Sequence, residues 1–316
     1  MRKLNKFLLA LVILMTACSF PQPNTATPAP IVPSLSDPFP TPNAALPDFK
    51  HIAIIIFENR EFENVVGNPE APFLNQVAQE NVLLTQYYAI THPSLPNYIA
   101  LIGGDTYGYT RNCVNCPVTA TNLADLIERS GHTWMTYQES MPSDCASHDP
   151  HRQYVPRHNP FMYFRSIVDD QQRCTTHVEE LPQLAEDISN NQLSDFIFIT
   201  PDICNSGHDC SIQESDLWLE KLLPALVKAF ERESENYLLV VTWDEGQTTK
   251  SCCGLPTEAG GHIATILISP YAKPAFQDDT PYTPYSLLRT ISEAWGLPLL
   301  GHAADANSKL ILAPWK

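Results

Sequence analysis

Four short, mainly apolar runs constrain the fold of this 316-residue chain more than any other feature of its sequence. Runs without polar alternation are typical of strands buried on both faces, and these lie at 51–57 (HIAIIIF), 195–200 (DFIFIT), 237–243 (YLLVVTW) and 262–269 (HIATILIS). Amphipathic stretches that predict helices alternate with them, at 121–130, 177–189, 215–231 and 284–295. The pattern predicts one α/β domain with a mostly parallel central sheet and helices on both faces.

Side chains of the types that bind metal ions stand where three of these runs end and where the fourth begins. They are Glu58 and Asn59, Asp202 with His208 six residues on, Asp244 and Glu245, and His262. Because ligands bind at the carboxyl ends of the strands in such sheets, we expect these side chains to lie close together. Crowded carboxylates repel each other, and a divalent cation removes the conflict. Each residue alone has a structural alternative, such as a cap, a turn or a core histidine, but the four positions together favour a metal site.

A serine between two prolines is the candidate nucleophile. Ser94 lies between Pro93 and Pro96, just before an apolar run that predicts a helix. The free N–H groups and the dipole at a helix N-terminus favour a phosphate group there. Asn97, one turn later, is expected to donate to a phosphate oxygen. The same residues also allow a plain structural alternative, in which Ser94 only caps the helix.

Five ordered segments between about residues 51 and 300 resemble the phosphoesterase family, which holds secreted bacterial acid phosphatases and bacterial phospholipases C. They are 57–62 (FENREF), 92–98 (HPSLPNY), 157–161 (RHNPF), 243–246 (WDEG) and 285–291 (YSLLRTI). The family belongs to the alkaline phosphatase superfamily, so the resemblance implies an alkaline-phosphatase-like α/β fold.

The resemblance also implies roles for the candidate residues. It implies one or two divalent ions, with zinc, magnesium, manganese and calcium left open. The first ion would be held by Glu58, Asn59, Ser94, Asp244 and Glu245, and the second by Asp202, His208 and His262. Glu245 stands where a related branch has histidine, which makes the first site all-oxygen. In a one-metal enzyme the second set would contact phosphate or stabilise loops. His158 is expected to protonate the leaving group or to bind phosphate, unless it is a surface-loop histidine.

These roles predict a metal-dependent phosphomonoesterase that acts on a phosphate ester. Ser94 would attack phosphorus and form a phosphoseryl enzyme, which water then hydrolyses. A phosphodiesterase or phospholipase C on the same core is the first alternative, and it requires room for a second ester substituent. A lipoprotein that captures phosphate or an organophosphate without catalysis is the alternative from another class.

The N-terminus predicts export and anchoring. A basic start and a short apolar run precede residues 15–18 (MTAC), which resemble a bacterial lipobox. We expect a signal peptide at 1–17, a lipid on Cys18 at the outer face of a bacterial membrane, a proline-rich tether over 18–47, and the phosphoesterase domain over 48–316. An ordinary signal peptide with an incidental Cys18 is the alternative.

Eight cysteines remain after Cys18, and an even number in an exported chain predicts disulfides. The candidates are Cys113, Cys116, Cys145, Cys174, Cys204, Cys210, Cys252 and Cys253. Cys204–Cys210 is the first expected pair, on proximity in sequence. Cys113 and Cys116 have the spacing of a zinc half-site or a redox pair as an alternative.

The net charge of −16 bears on possible partners. A surface this acidic repels nucleic acid and anionic bilayers, so we expect no nucleic-acid partner. Membrane contact is expected through the lipid anchor only, and the protein is expected to be a monomer.

Overall fold

The computed structural model describes residues 38–149, 152–234 and 236–316. Eight strands form one sheet in the order β4-β3-β5-β1-β6-β7-β2-β8. In chain order they are β1 (His51–Phe57), β2 (Val82–Tyr88), β3 (Trp134–Gln138), β4 (Val178–Glu180), β5 (Phe196–Thr200), β6 (Tyr237–Trp243), β7 (His262–Ile268) and β8 (Phe276–Asp278). Only β7 runs against the others within this sheet. The predicted mostly parallel sheet is therefore confirmed.

Eight α-helices accompany the sheet in the described part of the chain. They are α1 (Pro72–Glu80), α2 (Ser94–Gly103), α3 (Leu123–Ser130), α4 (Arg165–Val168), α5 (Gln171–His177), α6 (Leu181–Asn190), α7 (Ile212–Glu233) and α8 (Pro284–Ala294). Helix α1 packs on α7, and α2 packs on α8. Every residue of β1, β5, β6 and β7 is buried, so both faces of the central sheet are covered. None of the helices in the described ranges is long and apolar enough to cross a membrane.

The four apolar runs form the four central strands of the sheet, β5, β1, β6 and β7. The flanking strands β2, β3, β4 and β8 do not follow from the sequence pattern. Strands β2 (VLLTQYY) and β3 (WMTYQ) carry polar residues among their apolar ones, and β4 and β8 have three residues each. Apolar content identifies a strand only where both of its faces are buried.

Residues before position 48, where the domain was expected to begin, already pack against it. The N–H of Asn43 donates to the carbonyl of Glu293 at 2.8 Å, and its side-chain amide donates to the Glu293 carboxylate at 2.6 Å. Leu46 is buried in the core. The last residues of the expected tether thus contact the C-terminal part of α8. Cys18, the signal peptide and the tether up to residue 37 lie outside the described residues.

The eight cysteines of the domain form four disulfides. The pairs are Cys113–Cys116, Cys145–Cys174, Cys204–Cys210 and Cys252–Cys253. The expected Cys204–Cys210 pair is confirmed, and pairing of Cys113 with Cys116 removes the zinc half-site alternative. The chain separation within the pairs differs widely, from 1 to 29 residues.

We expect the Cys145–Cys174 bridge to contribute most to stability, since it closes a loop of 29 residues. Replacing both cysteines with serine should lower the free energy of unfolding by about 3–4 kcal/mol. The matched control replaces Cys252 and Cys253, whose bridge joins neighbouring residues and restricts the unfolded chain little. Denaturant unfolding measures both effects. Equal losses in the two double variants, or eight free thiols in the denatured native protein, would contradict the assignment.

Candidate active site

The carboxyl ends of β1 and β6 bring two acidic side chains together. The strands pair in parallel with Phe57 opposite Trp243, so the residues that follow, Glu58 and Asp244, stand side by side at the sheet edge. These two residues are 0% and 2% exposed. The N–H of Asn59 donates to Asp244 Oδ1 at 3.0 Å, which ties the two strand ends together.

Ser94 is the first residue of α2 and lies against this pair. Its Oγ is 3.2 Å from Glu58 Oε2 and 3.3 Å from Glu245 Oε1, and it also contacts the Asp244 carboxyl group. We call Glu58, Asp244 and Glu245 the acidic cluster. Pro93 occupies the N-cap position of α2. The Ser94 hydroxyl therefore donates to the acidic cluster, which argues against the N-cap alternative.

The acidic cluster has a chemistry that fits a divalent cation. Burial, together with the charge of Asp244, raises the pKa of Glu58 well above its ordinary value. Burial and the charge of Glu245 raise the pKa of Asp244 to about 7. Asp244 Oδ2 is buried and has no hydrogen-bond partner within the part of the chain that the structure describes. A cation bound by these oxygens would remove both the repulsion and the unsatisfied atom, and an all-oxygen donor set suits hard ions.

A second possible donor set shares Glu58. The ligand atoms of Glu58, His158 and His208 all lie within 4.8 Å of one another. However, His208 Nε2 accepts a hydrogen bond from Arg157 Nη2 at 3.2 Å, and its Nδ1 donates to Asp209 at 2.6 Å. Both ring nitrogens of His208 are thus engaged within the protein. The acidic cluster therefore fits a cation better than this set does.

His158 lies under the acidic cluster and is 1% exposed, so it is not a surface-loop histidine. Its Nε2 is 3.3 Å from Glu58 Oε1, and its ring stacks on Tyr98, whose hydroxyl donates to the same oxygen. Burial, and then the charge of Arg157, lower the pKa of His158 well below its ordinary value. The imidazole is therefore neutral, and its contact with Glu58 is not an ion pair. Apart from this contact, neither ring nitrogen has a hydrogen-bond partner among the described residues, which leaves one N–H for a ligand.

The structure does not bring the predicted second set together. Asp202 Oδ1 accepts the N–H groups of Cys204 and Asn205, at 3.0 and 2.9 Å, and so stabilises its own loop. His262 begins β7 at the expected edge, but its Nε2 donates to the carbonyl of Thr85 at 2.9 Å. The ring is also stacked between Phe62 and Tyr88. Of the three predicted ligands, His208 alone lies beside the acidic cluster.

Asn97 has a structural role instead of the expected contact with phosphate. Its Oδ1 accepts the N–H groups of Ile90 and Thr91, both at 3.0 Å. Its Nδ2 donates to the carbonyls of Thr91 and Pro93, at 2.8 and 3.3 Å. The amide is thereby saturated, and it holds the segment that leads into Ser94.

His92 is a site residue for which the sequence predicted no role. Its Nδ1 donates to Glu245 Oε2 at 2.7 Å, and its Nε2 donates to the carbonyl of Thr248 at 2.9 Å. The hydrogen bond with Glu245 raises the pKa of His92 to about 9. His92 therefore carries a charge and fixes the carboxylate whose other oxygen faces Ser94. Its place two residues before the serine was the only sequence signal.

The residues that follow Glu58 fix the loops around the site. Arg60 Nη2 donates to the carbonyls of Gly207 and Cys210, at 3.1 and 2.7 Å. Glu61 accepts the N–H groups of residues 247 and 248, at 2.8 and 3.1 Å. This segment thus connects β1 to the loops after β5 and β6, which carry His208 and Glu245.

Comparisons with known proteins find similar chains. A family model described as "Phosphoesterase family" matches residues 68–298. A phosphate-repressible acid phosphatase from Penicillium chrysogenum is 34% identical over 270 residues, which cover 82% of this chain and 63% of that protein. A phosphatidylinositol-3-phosphatase from Mycobacterium tuberculosis is 32% identical over 266 residues, which cover 83% of this chain and 82% of that protein. The chain spans 63% of the length of the Penicillium protein and of a probable acid phosphatase from Kluyveromyces lactis.

Solved structures share the fold at low sequence identity. A Vibrio parahaemolyticus protein in the alkaline phosphatase superfamily has a TM-score of 0.53 and 14% identity, over 87% of this chain and 72% of that one. A phosphonate monoester hydrolase of Agrobacterium radiobacter has a TM-score of 0.52 and 12% identity, over 79% of this chain and 74% of that one. The expected alkaline-phosphatase-like fold is confirmed.

Proposed function

The chain belongs to the phosphoesterase family, and from this premise we propose that it hydrolyses phosphate monoesters with Ser94 as the nucleophile. The observation that carries the proposal is the buried Ser94 hydroxyl at the start of α2, 3.2 Å and 3.3 Å from two carboxylates of the acidic cluster. The positive dipole end at the start of α2 suits the charge of the phosphate. The similar proteins that carry phosphatase names support a monoester substrate.

The proposed reaction follows from the chemistry of the described residues. A divalent ion held by the acidic cluster would supply positive charge that lowers the pKa of a hydroxyl and polarises a phosphoryl oxygen. The Ser94 hydroxyl proton passes to Glu58 or Glu245 as Oγ attacks phosphorus. The bond from phosphorus to the alcohol oxygen breaks, and the leaving oxygen takes a proton from solvent water. Water then attacks the phosphoserine and releases phosphate, which restores the Ser94 hydroxyl.

His158 contributes a hydrogen bond rather than an acid in this proposal. Its low pKa means that it holds no second proton to give at neutral pH. The N–H of its neutral ring is buried and, apart from the 3.3 Å contact of Nε2 with Glu58, has no partner among the described residues, so it suits a phosphoryl oxygen. His92 acts by holding Glu245 in place.

A phosphodiesterase is the second candidate, because a largely apolar cavity lies beside the site and could hold a second ester substituent. Steady-state turnover of matched mono- and diesters, with added divalent metals and with a chelator, separates the two. We expect metal-dependent hydrolysis of monoesters at the higher kcat/KM. Preferential hydrolysis of diesters would contradict the proposal, and so would binding of phosphate without any turnover.

We further propose that the protein is exported and anchored through a lipid on Cys18, on the strength of the lipobox-like residues 15–18. Two or more acyl chains give stable attachment to a bilayer. Cys18→Ala should yield an unlipidated protein in the soluble fraction, as measured by fractionation and intact mass. Equal membrane attachment and an unchanged mature mass in this variant would refute the anchor.

A further inference from the structure

A cavity of about 590 Å³ opens beside the active site. Its wall is largely apolar and includes Val114, Val155, Met162 and Ile203. Cavities of this size and composition are typical of small-molecule sites. None of these four residues has a role in the reaction proposed above.

Two polar residues of the wall connect the cavity to the catalytic groups. The side chain of Asn112 accepts the N–H of Leu95 at 3.0 Å, directly after the nucleophile. Arg157 lines the cavity and donates to His208, which lies beside Glu58. Arg157 Nε is buried and has no hydrogen-bond partner in the described ranges of the chain. An unpaired guanidinium N–H at the boundary between cavity and cluster suits a phosphoryl oxygen.

The two tyrosine hydroxyl groups of the wall are used within the protein. The Tyr163 hydroxyl donates to the carbonyl of Cys113 at 3.1 Å, and the Tyr154 hydroxyl accepts from Asn159 Nδ2 at 3.1 Å. Ser147, His148 and Arg152 also line the cavity, but all three are exposed. In the buried part of the wall a sugar or polyol would find few hydrogen-bond partners and would lose its bonds to water. An apolar group gains from burial in the same place.

We propose that this cavity, the leaving-group pocket, binds the apolar alkyl or aromatic alcohol part of a phosphate monoester. The inference rests on the proposed function, because a monoester with its phosphate at Ser94 has one organic substituent, the leaving alcohol. Arg157 binds the phosphate at the mouth of the pocket. The protein is thus selective for monoesters of apolar alcohols over sugar phosphates.

The test measures kcat/KM for methyl, butyl and hexyl phosphate, whose alcohols are similar as leaving groups. Full burial of each methylene group raises kcat/KM about fourfold. We expect hexyl phosphate to exceed methyl phosphate by at least about tenfold. Hexanol should also inhibit more strongly than methanol, which tests the pocket without any substitution.

Met162→Gln and Ile203→Asn place polar groups in the wall at two half-buried positions. Each should lower the ratio of hexyl to methyl turnover severalfold. Leu312→Gln, at a 43% exposed position outside the pocket, is the matched control and should leave the ratio unchanged.

The possible outcomes distinguish failure of the leaving-group pocket from failure of the proposed reaction. Methyl phosphate turnover with no dependence on chain length and no preference for hexanol overturns the pocket and leaves the proposed function standing. Absence of turnover with every ester overturns both. The assignment is also overturned if kcat/KM rises with the length of the alkyl chain just as strongly in the two folded pocket variants as in wild type.

Discussion

The Ser94→Ala protein is expected to fold normally and to lose kcat by a factor on the order of a thousand or more. The loss is large because the substitution removes the atom that forms the covalent bond to phosphorus. Folding should survive, since the Ser94 hydroxyl donates to carboxylates and caps no helix. The measurement is kcat and melting temperature on the same sample.

Two control variants sharpen this test. Asn122→Ala removes a true N-cap, at the start of α3 away from the acidic cluster, and should cost about 1 kcal/mol of stability with unchanged kcat. Ser94→Thr keeps a hydroxyl and should retain part of the activity. A folded Ser94→Ala protein with wild-type kcat would remove Ser94 from the mechanism.

Asp244→Asn and Glu58→Gln should each lower kcat/KM by several powers of ten, and both should lower the metal content of the purified protein. Each substitution removes a charged oxygen ligand from the acidic cluster. Glu63→Gln is the matched control, because this carboxylate is 59% exposed and pairs with Lys250 outside the cluster. Metal content and kcat/KM are measured for the two cluster variants and for the control, each relative to wild type. Full activity in metal-free wild type, or equal losses in the control, would contradict the metal site.

The stability of the protein tests the buried charge of Asp244 independently of catalytic activity. Because the folded-state pKa of Asp244 is raised to about 7, metal-free protein should lose stability as the pH rises from about 4 to about 7. Asp244→Asn removes the buried charge, so without metal at pH 7 this variant should melt above wild type. With metal bound, wild type should instead melt at a higher temperature than Asp244→Asn. Thermal denaturation of wild type and Asp244→Asn over this pH range, with and without metal, measures the pH dependence and the order of the melting temperatures.

The sequence predicted the central part of the fold and of the site for one physical reason. Strands buried on both faces must be apolar throughout, and in parallel neighbours their ends coincide. Glu58 and Asp244 were therefore predictable as neighbours from strand ends alone. The structure adds the register, Phe57 opposite Trp243, that places them side by side.

The predictions that did not hold concern the direction of side chains, which strand position does not determine. His262 starts its strand at the expected edge, yet its ring bonds to the carbonyl of Thr85. Asn97 has the right type for binding phosphate, but its amide is used to hold the loop before Ser94. His92 acquires its role only when the loop after β6 folds against it.

The most direct test of the account is to look for phosphate on Ser94. Metal-loaded wild type is mixed with a monoester, quenched in acid within the first turnovers, digested and analysed by peptide mass spectrometry. We expect a phosphoserine at Ser94 that appears during turnover and is absent from Ser94→Ala. Wild-type turnover with no phosphate on Ser94 at any quench time, including under conditions that slow the attack of water, would contradict it.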